Sequence, residues 1–497
     1  MTAAAVSLLV AASAAAKEPT AAATRVKRLV VCDDINDPAT LDPHKQFAEK
    51  NHTILQQIFE GLVRFDPQGR IEPALAVSWK RIDPLRMRFS LRKNVRFHNG
   101  EPFDADCVRA TIARYLDPRT GFPAAGMIFS IDRAEVVDSH TVDIITKHPD
   151  GLLLHRLAGF ILIVPPRYLT EAGAANFAKS PVGTGAFLFK GRERGERITL
   201  AANRNYWGED EPKVDELVFR FIPDRDQIQE LFAGDVDVLL EVPGTKTLSI
   251  QRHPKTNIQK GRAYSTMGIS LRFDKGILAD RRIRLALNYA TDRKALVRYD
   301  LLGNGAPIAT LSMPGEEGHN PSLRPYPYDL QKASALLAEA GYPDGLTLTA
   351  MVLEGAERTA RILAADWKRI GIDLKFETMK ENEILDFFKN PIFDLAIGEC
   401  PDPMAHSYFI QALAIYSKSP RSLARDAKFD SMLEIMASTI DDAKRRALAM
   451  ELDQYIYSEA LSVFTYQRLH TYALRNGVKM PHYVTGMPYF FAADVQR

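Results

Sequence analysis

Cysteine is almost missing from this chain. Its 497 residues hold three, Cys32, Cys107 and Cys400, with no C-x-x-C among them. An odd, widely spaced set implies neither a disulfide framework nor a zinc knuckle. An oxidising compartment allows one bridge, whose pair the sequence does not choose; buried thiols are the default. An excess of one charge sign is missing too. Lys+Arg is 64 and Asp+Glu 62, a formal net charge of +2. That balance supplies no global field to hold nucleic acid or an anionic membrane. No segment past the N-terminus reaches the ~20 apolar residues of a bilayer crossing. Internal repeats, low-complexity tracts and Gly/Ser linkers are lacking, so domains are expected to join through ordered crossings.

Catalytic signatures are scarce as well. Eleven histidines are scattered without H-E-x-x-H or H-x-H, which removes the zinc-hydrolase signal. His44, His98 and His406 sit beside turn residues, where a structural role outweighs metal ligation. No G-x-x-x-x-G-K-[ST] occurs, and Gly183-Thr184-Gly185 is a lone G-x-G with no helix pattern after it. No G-x-S-x-G elbow is found. Asp33, Asp34 and Asp37 lack the glycine and terminal glutamate of a calcium loop. Asp441-Asp442, followed by Lys444, Arg445 and Arg446, reads as a solvated helix start. Triads are defined by geometry and not by order, so these gaps lower the expectation of an enzyme without abolishing it. No cofactor and no metal are expected.

What is present is ordinary in amount and regular in pattern. Apolar residues make 46% and charged residues 25%, the usual composition of a folded soluble chain and enough apolar surface to exclude disorder. At ~150 residues per domain the length suggests roughly three folding units. Residues 1–16 combine an apolar run with Ala14-Ala15-Ala16 ahead of Lys17-Glu18-Pro19, the pattern of a secretory leader cleaved near Ala16, although a basic n-region is missing. A disordered Ala-rich tail is the alternative. No cysteine follows, so a lipid anchor there is not expected.

Short apolar alternation predicts strands at 28–33 and 87–91, and helical spacing predicts a helix over 51–63. Asn99-Gly100 marks a turn, and Asp104 caps a helix to about 116. The second half is more regular. Helices are predicted over 329–340, stopped by Gly341, and over 357–370, stopped by Gly371. Others fall at 383–388, 425–438 and 441–459. Strands are predicted at 346–353, 372–377 and 393–397. Strands alternating with helices argue for βαβ units in an α/β fold.

Several motifs fall in a family's order. They include Leu41-Asp42-Pro43-His44, Ile58-Phe59-Glu60-Gly61-Leu62, Ser78-Trp79 and Phe97-His98-Asn99-Gly100-Glu101-Pro102-Phe103. Pro181-Val182-Gly183-Thr184-Gly185, Asn205-Tyr206-Trp207-Gly208, Gly234-Asp235-Val236-Asp237 and Ala286-Leu287-Asn288-Tyr289-Ala290 continue the series. The chain resembles, over nearly its whole length, the oligopeptide- and dipeptide-type extracellular solute-binding proteins of ABC transporters. The match is specific for the family and says little about the ligand.

The resemblance implies the two-lobed periplasmic binding protein fold, α/β, with a hinge and an extra subdomain in lobe I. Lobe I would hold 27–44, 181–260 and 474–497. The subdomain would be 45–180 and lobe II 261–473, with crossings near 260–265 and 474–479. It implies a monomer in the periplasm that takes a peptide or small-molecule ligand to inner-membrane ABC permease subunits and binds no nucleic acid.

In peptide-binding members a Gly-Trp-x-x-Asp loop follows a lobe II strand, and its Asp grips the ligand's α-amino group. Here Asp402 has that spacing from Gly398. Glu399 replaces the Trp, which points either to a ligand with an extra cationic or hydroxyl-rich group or to a solvent-facing side chain. Phe47 and Glu49 follow the Leu-Asp-Pro-His motif where relatives line the cleft. Arg272 and Asp274 enter lobe II, Arg272 being suited to a carboxylate. Members of the same fold also carry nickel chelates, haem, oligosaccharides, opines and glutathione, so fold leaves the ligand open. An enzyme or chaperone-like protein on this scaffold is the alternative from another class.

Overall fold

The computed structural model describes residues 26–32, 37–209, 211–380, 383, 387–388 and 392–496, apart from the Glu49 side chain. The leader at 1–16, Asp33, Asp34 and most of the helix expected at 383–388 lie outside these residues.

A mixed sheet of eleven strands is the spine. From one edge its order is Ile372–Met379, Leu346–Leu353, Leu395–Pro401, Thr256–Leu271, Tyr466–Arg475, Val238–Leu239, Arg28–Cys32, Glu216–Arg220, Arg197–Ala202 and Phe187–Glu193. Gly305–Pro307 pairs with Tyr466–Arg475 off this path. Parallel pairing occurs on both sides of the centre. Leu346–Leu353 runs parallel to Ile372–Met379, and helix Glu357–Lys368 makes the crossover. Arg28–Cys32 runs parallel to Glu216–Arg220 and to Val238–Leu239. Parallel neighbours need such crossovers, and the strands are accordingly apolar.

Two long antiparallel strands join the halves. Thr256–Leu271 pairs with Tyr466–Arg475 from Thr256↔Arg475 to Arg262↔Leu469, and with Leu395–Pro401 from Ser265↔Pro401 to Leu271↔Leu395. Its register with Tyr466–Arg475 shifts between Arg262 and Thr266. A bulge there bends and twists the strand. Tyr466–Arg475 changes its other neighbour in the same region, from Gly305–Pro307 at 466–468 to Val238–Leu239 at 473–474.

A four-stranded antiparallel sheet stands apart: Ala76–Asp83, Arg86–Leu91, Thr141–Thr146 and Ile131–Asp138. Helix Ala105–Leu116 packs on it, its first turn capped by Asp104 Oδ1 accepting the Cys107 N–H. The apolar side chains of 62–163 run without a break into those of 264–466 as one buried cluster. A second cluster gathers Leu29, Val31, Leu217, Val238 and Phe490.

The expected helices at 329–340, 425–438 and 441–459 appear as Leu330–Glu339, Ala427–Ser438 and Asp442–Glu459, with Asp329, Asp426 and Asp441 as side-chain caps. Two expectations need correction. The helix predicted over 51–63 is Glu49–Ile58, and Val63–Phe65 is already a strand. The chain leaves the helix because the Glu60 carbonyl accepts the Ile163 N–H, and a Cβ at Gly61 would lie 2.7 Å from the Ile161 oxygen. The strand predicted to end at 397 continues to Pro401, through a Gly268↔Gly398 pair. Glu399 therefore stands on a strand and not in a loop. Cys32, Cys107 and Cys400 are all thiols; none is bridged.

Candidate ligand cleft

The family motifs position the backbone around a cleft. Asp42 is fully buried and accepts both Arg114 nitrogens, at 2.8 and 2.5 Å, and the His44 N–H. His44 Nε2 lies 3.0 Å from the Leu162 oxygen, and its ring packs on Tyr115. The Leu-Asp-Pro-His motif is thus a clamp that aims residues 45–50. Glu60 draws three other motifs together, accepting the Tyr206 hydroxyl at 2.6 Å, the Trp207 indole N–H at 2.7 Å and the Thr184 hydroxyl at 2.9 Å. Gly183-Thr184-Gly185 serves close packing: a Cβ at Gly183 would lie 2.0 Å from the Ile58 oxygen.

Where Tyr466–Arg475 changes partners, a cavity of about 560 Å³ opens, within the ~300–1,000 Å³ of small-molecule sites. One wall is the stretch 240–245, from the half of the sheet that holds Arg28–Cys32. The opposite wall brings the turn 300–304, Gly355 and Arg358. Ser265, Met267, Glu399, Pro401, Tyr466, Arg468 and His470 form the floor, and Lys50 stands at the side. Residues 466, 468 and 470 alternate on one strand face, as the pleat requires.

Arg468 is the electrostatic centre. Its guanidinium donates to Glu241 Oε1 at 2.9 Å and also to Glu399 Oε2. Glu399 further accepts the Ser265 hydroxyl at 2.7 Å, and its side chain is 42% exposed. Desolvation pushes the Glu399 carboxyl up, but Arg468 and Ser265 outweigh it and hold it below its ordinary range. Asp300 accepts the Tyr466 hydroxyl at 2.6 Å and the Thr359 hydroxyl. Burial, with His482 and Arg468 nearby, pushes His470 down to about 3, so its imidazole is neutral at pH 7.

The residues singled out from sequence are dispersed. Glu399 lines the cavity. Asp402 does not. It is fully buried, its carboxylate accepting the Met404 and His406 N–H groups at 2.7 and 2.8 Å. Its loop turns inward behind Pro401, and burial pushes its carboxyl up to about 7 against the hydrogen bonds from the Met404 and His406 N–H groups and from Glu316. Phe47 is half-buried against Phe160, ring centroids 4.8 Å apart, and is not in the cavity wall. The Glu49 side chain lies outside the described residues; Lys50 beside it reaches the cavity. Arg272 pairs with Asp394 at 3.6 Å, and Asp274 is exposed beyond it. Neither lines the cavity, because five residues of extended strand carry the chain about 16 Å past Met267.

Arg468, Glu241, Tyr466 and Arg358 were missed. The alternation Tyr466-Gln-Arg468-Leu-His470 was a legible signal for the floor strand. Glu241 and Arg358 carried none, since only the fold brings 240–245 opposite 355–358.

Two α/β halves tied by a pair of crossing strands, with a polar cavity at the crossing, define a solute-enclosing binding protein. Residues 70–415, more than half of the chain, match the bacterial extracellular solute-binding proteins, family 5 Middle, and the chain belongs to that family. It is similar to the nickel-binding periplasmic protein of Escherichia coli (strain K12), 27% identical over 457 residues, 86% of this chain and 85% of the relative. It is also similar to di/tripeptide-binding protein 1 of Pseudomonas aeruginosa (strain UCBPP-PA14), 26% identical over 472 residues and 88% of each chain. Among solved structures, the ABC transporter-associated periplasmic binding protein DppA from Helicobacter pylori, in complex with peptide STSA, superposes with a TM-score of 0.80. It is 25% identical, and the match covers 95% of this chain and 98% of that one. The protein is a periplasmic solute-binding component of the ABC importer class. Among the described residues, no helix is long and apolar enough to cross a membrane.

Proposed function

We propose that the cavity at the strand crossing is the ligand site and that the protein closes around a small polar solute or short peptide for delivery to an inner-membrane permease. The lobes would be 27–44 with 181–260 and 474–497 on one side and 261–473 on the other, with 45–180 as an added subdomain. One observation carries the reading: the cavity walls come from both halves, and an ion-pair bridge, Glu241–Arg468–Glu399, spans them. Closure of a hinged cleft needs differential contacts with the closed state and no catalytic group. The bulge at 262–266 and the partner change at 468–473 are where the crossing strands would bend. On this reading the second bend would lie a few residues before the 474–479 segment expected from the resemblance.

Glu399, Arg468 and Glu241 are the assigned ligand-facing residues, and Asp402 a support behind them. The relatives named above take nickel or di- and tripeptides, and those chemistries are the first to test. We read the protein as a monomeric carrier and not as an enzyme. Mass spectrometry of the solute co-purifying with the exported protein identifies the cargo. Small-angle scattering with that solute should show the radius of gyration fall on binding. An unchanged radius, or chemical conversion of the solute, refutes the reading.

A further inference from the structure

The loop after the cavity floor, 402–407, is where the segment 45–180 rests on the second half of the chain. His155 Nδ1 donates to the Met404 oxygen at 2.8 Å. A Cβ at Gly159 would lie 2.8 Å from the Pro403 oxygen, and one at Gly69 would lie 3.1 Å from the Ala405 Cβ. The helix Leu153–Phe160 and the turn at Gly69 thus sit on three successive loop residues. Ala405 makes this contact at a φ of 52°. That conformation costs an alanine energy and persists only where the surroundings hold it.

Asp402 does the holding. Its carboxylate accepts the Met404 and His406 N–H groups on either side of Ala405. Its own N–H donates to the Tyr264 oxygen at 2.7 Å, which ties the loop to the crossing strand at its bulge.

A second carboxyl group, Glu316, stands behind Asp402. It comes from the loop 313–318, which also meets 402–407 through the Ser407 N–H and the Glu317 oxygen at 3.1 Å. Glu316 is 5% exposed, and its Oε2 accepts the Met313 N–H at 2.6 Å. Among the described residues, no donor reaches its Oε1, and the side chain lies in hydrogen-bond contact with the Asp402 carboxyl. Two ionised carboxylates offer acceptors only. Buried and in contact, they need a proton on one of them. Asp402 receives two N–H groups, which favour its charged form, whereas Glu316 receives one. The proton therefore belongs on Glu316 Oε1, and burial followed by the Asp402 charge raises that carboxyl well above its ordinary range.

The other charged and titratable groups facing the pair are Tyr264 on the crossing strand, Asp453 on the helix Asp442–Glu459, His155 on the helix Leu153–Phe160 and His406 on the loop itself. Glu317 is taken up by Arg445 at 2.8 Å and by His155 at 3.5 Å. None of these groups donates to Glu316 Oε1.

We propose that Glu316 is a positioning residue: a neutral acid whose O–H donates to Asp402 and so keeps loop 402–407 in the shape that receives the subdomain when the cleft closes. Its use in closure rests on the carrier reading; the hydrogen bond does not.

The test compares the full chain with Glu316→Gln, which keeps a donor without a titratable proton, and with Glu316→Ala. An unfolded glutamate ionises near its ordinary value, so the stability held by a raised carboxyl is lost as pH rises through its folded value. Glu316→Gln should therefore melt no lower than the parent at pH 7, and its advantage should grow at pH 9, the surrounding groups being common to both proteins. Glu316→Ala should melt lower, and the amide hydrogens of 402–407 should exchange about tenfold faster or more. Calorimetric titration with nickel and with di- and tripeptides then reads closure: the affinity for a hit should fall about tenfold in Glu316→Ala and be rescued in Glu316→Gln. Glu316→Gln less stable than the parent, exchange at 402–407 unchanged in Glu316→Ala, or equal affinities in the parent and Glu316→Ala overturn the proposal. If Glu316→Ala does not fold, the Glu316→Gln melting comparison decides. A panel without a hit counts against the carrier reading alone, since exchange and melting still judge the hydrogen bond.

Discussion

Arg156→Met should be among the most damaging single substitutions outside the cleft. Arg156 and Asp150 are each 1% exposed by side chain, and the Arg156 Nε donates to Asp150 Oδ2 at 2.9 Å. Asp150 also accepts the Ser130 hydroxyl at 2.6 Å and the Leu152 N–H at 2.8 Å. The guanidinium donates to the Met127 oxygen and packs against the rings of Phe129 and Tyr408 at 5.1 and 5.0 Å. Tyr408 opens the helix Tyr408–Ile415, which follows the sheet strand Leu395–Pro401, so this contact ties the side of the small antiparallel sheet to the larger layer. Methionine keeps the apolar stem and removes the charge, leaving a buried carboxylate with no cation hydrogen-bonded to it; Arg81 nearby bonds the Asp150 backbone oxygen instead. Stranding one half of a buried pair costs about 3–5 kcal/mol. At ~2.1 cal/mol/K of unfolding entropy per residue, this lowers Tm by about 4 °C if the chain unfolds as one unit. Asp150→Asn with Arg156→Met keeps the Ser130 and Leu152 hydrogen bonds and removes the stranded charge. The double variant should recover at least half of the loss. Urea titrations followed by circular dichroism measure all three proteins. A single-variant loss under ~1 kcal/mol, or a double variant no better than the single, refutes the argument that charge burial sets the magnitude.

Acid should destabilise the protein well above the carboxylate range. Burial holds His44 and His470 down to about 3 and His52, His98 and His482 down to about 4, and it also lowers His406. These histidines are neutral when folded and titrate near 6.5 when unfolded, so unfolding takes up protons and stability falls as pH drops from 6.5 to about 4. His319 is lowered in the same way. Asp402, Glu316, Glu60, Asp366 and Asp453, raised by burial, act in the opposite sense, since folding binds their protons. Seven histidines against five carboxyls leave a net uptake of about two protons and a slope of up to roughly 3 kcal/mol per pH unit; urea midpoints equal at pH 7 and 5 refute it. Gly183→Ala should cost about 3 kcal/mol or prevent folding, because its Cβ would sit 2.0 Å from a carbonyl oxygen; a Tm within 1 °C of the parent contradicts this packing. Arg468→Met should set Glu241 against Glu399, raise the Glu399 pKa and weaken solute binding by about tenfold or more, read by calorimetry across pH 5 to 8. The cysteines should react as three thiols on denaturation and slowly before it, since burial pushes the Cys107 thiol up to about 12; fewer than three thiols in the denatured, unreduced protein would show a bridge.

Local chemistry was legible in the sequence. Caps at Asp104 and Asp329, the helix start at Asp441, and stops at Gly341 and Gly371 are decided within a few residues, and α/β alternation follows from the periods 3.6 and 2. The ordered motifs pointed to the family, and three of them meet in the structure where Glu60 accepts hydrogen bonds from Thr184, Tyr206 and Trp207. Three things were decided by tertiary structure. Strand Leu395–Pro401 runs past 397 because Thr256–Leu271 pairs with it, which puts Glu399 in the cavity floor and Asp402 behind it. Arg468 meets Glu241 across 227 residues of sequence, a pairing that no local period encodes. Asn304 is carried against the opposite wall, where a Cβ at Gly244 would lie 3.2 Å from its Nδ2. Caps and periods depend on neighbours along the chain, whereas a binding cavity depends on which distant segments exclude water together, and that is fixed only when the halves pack.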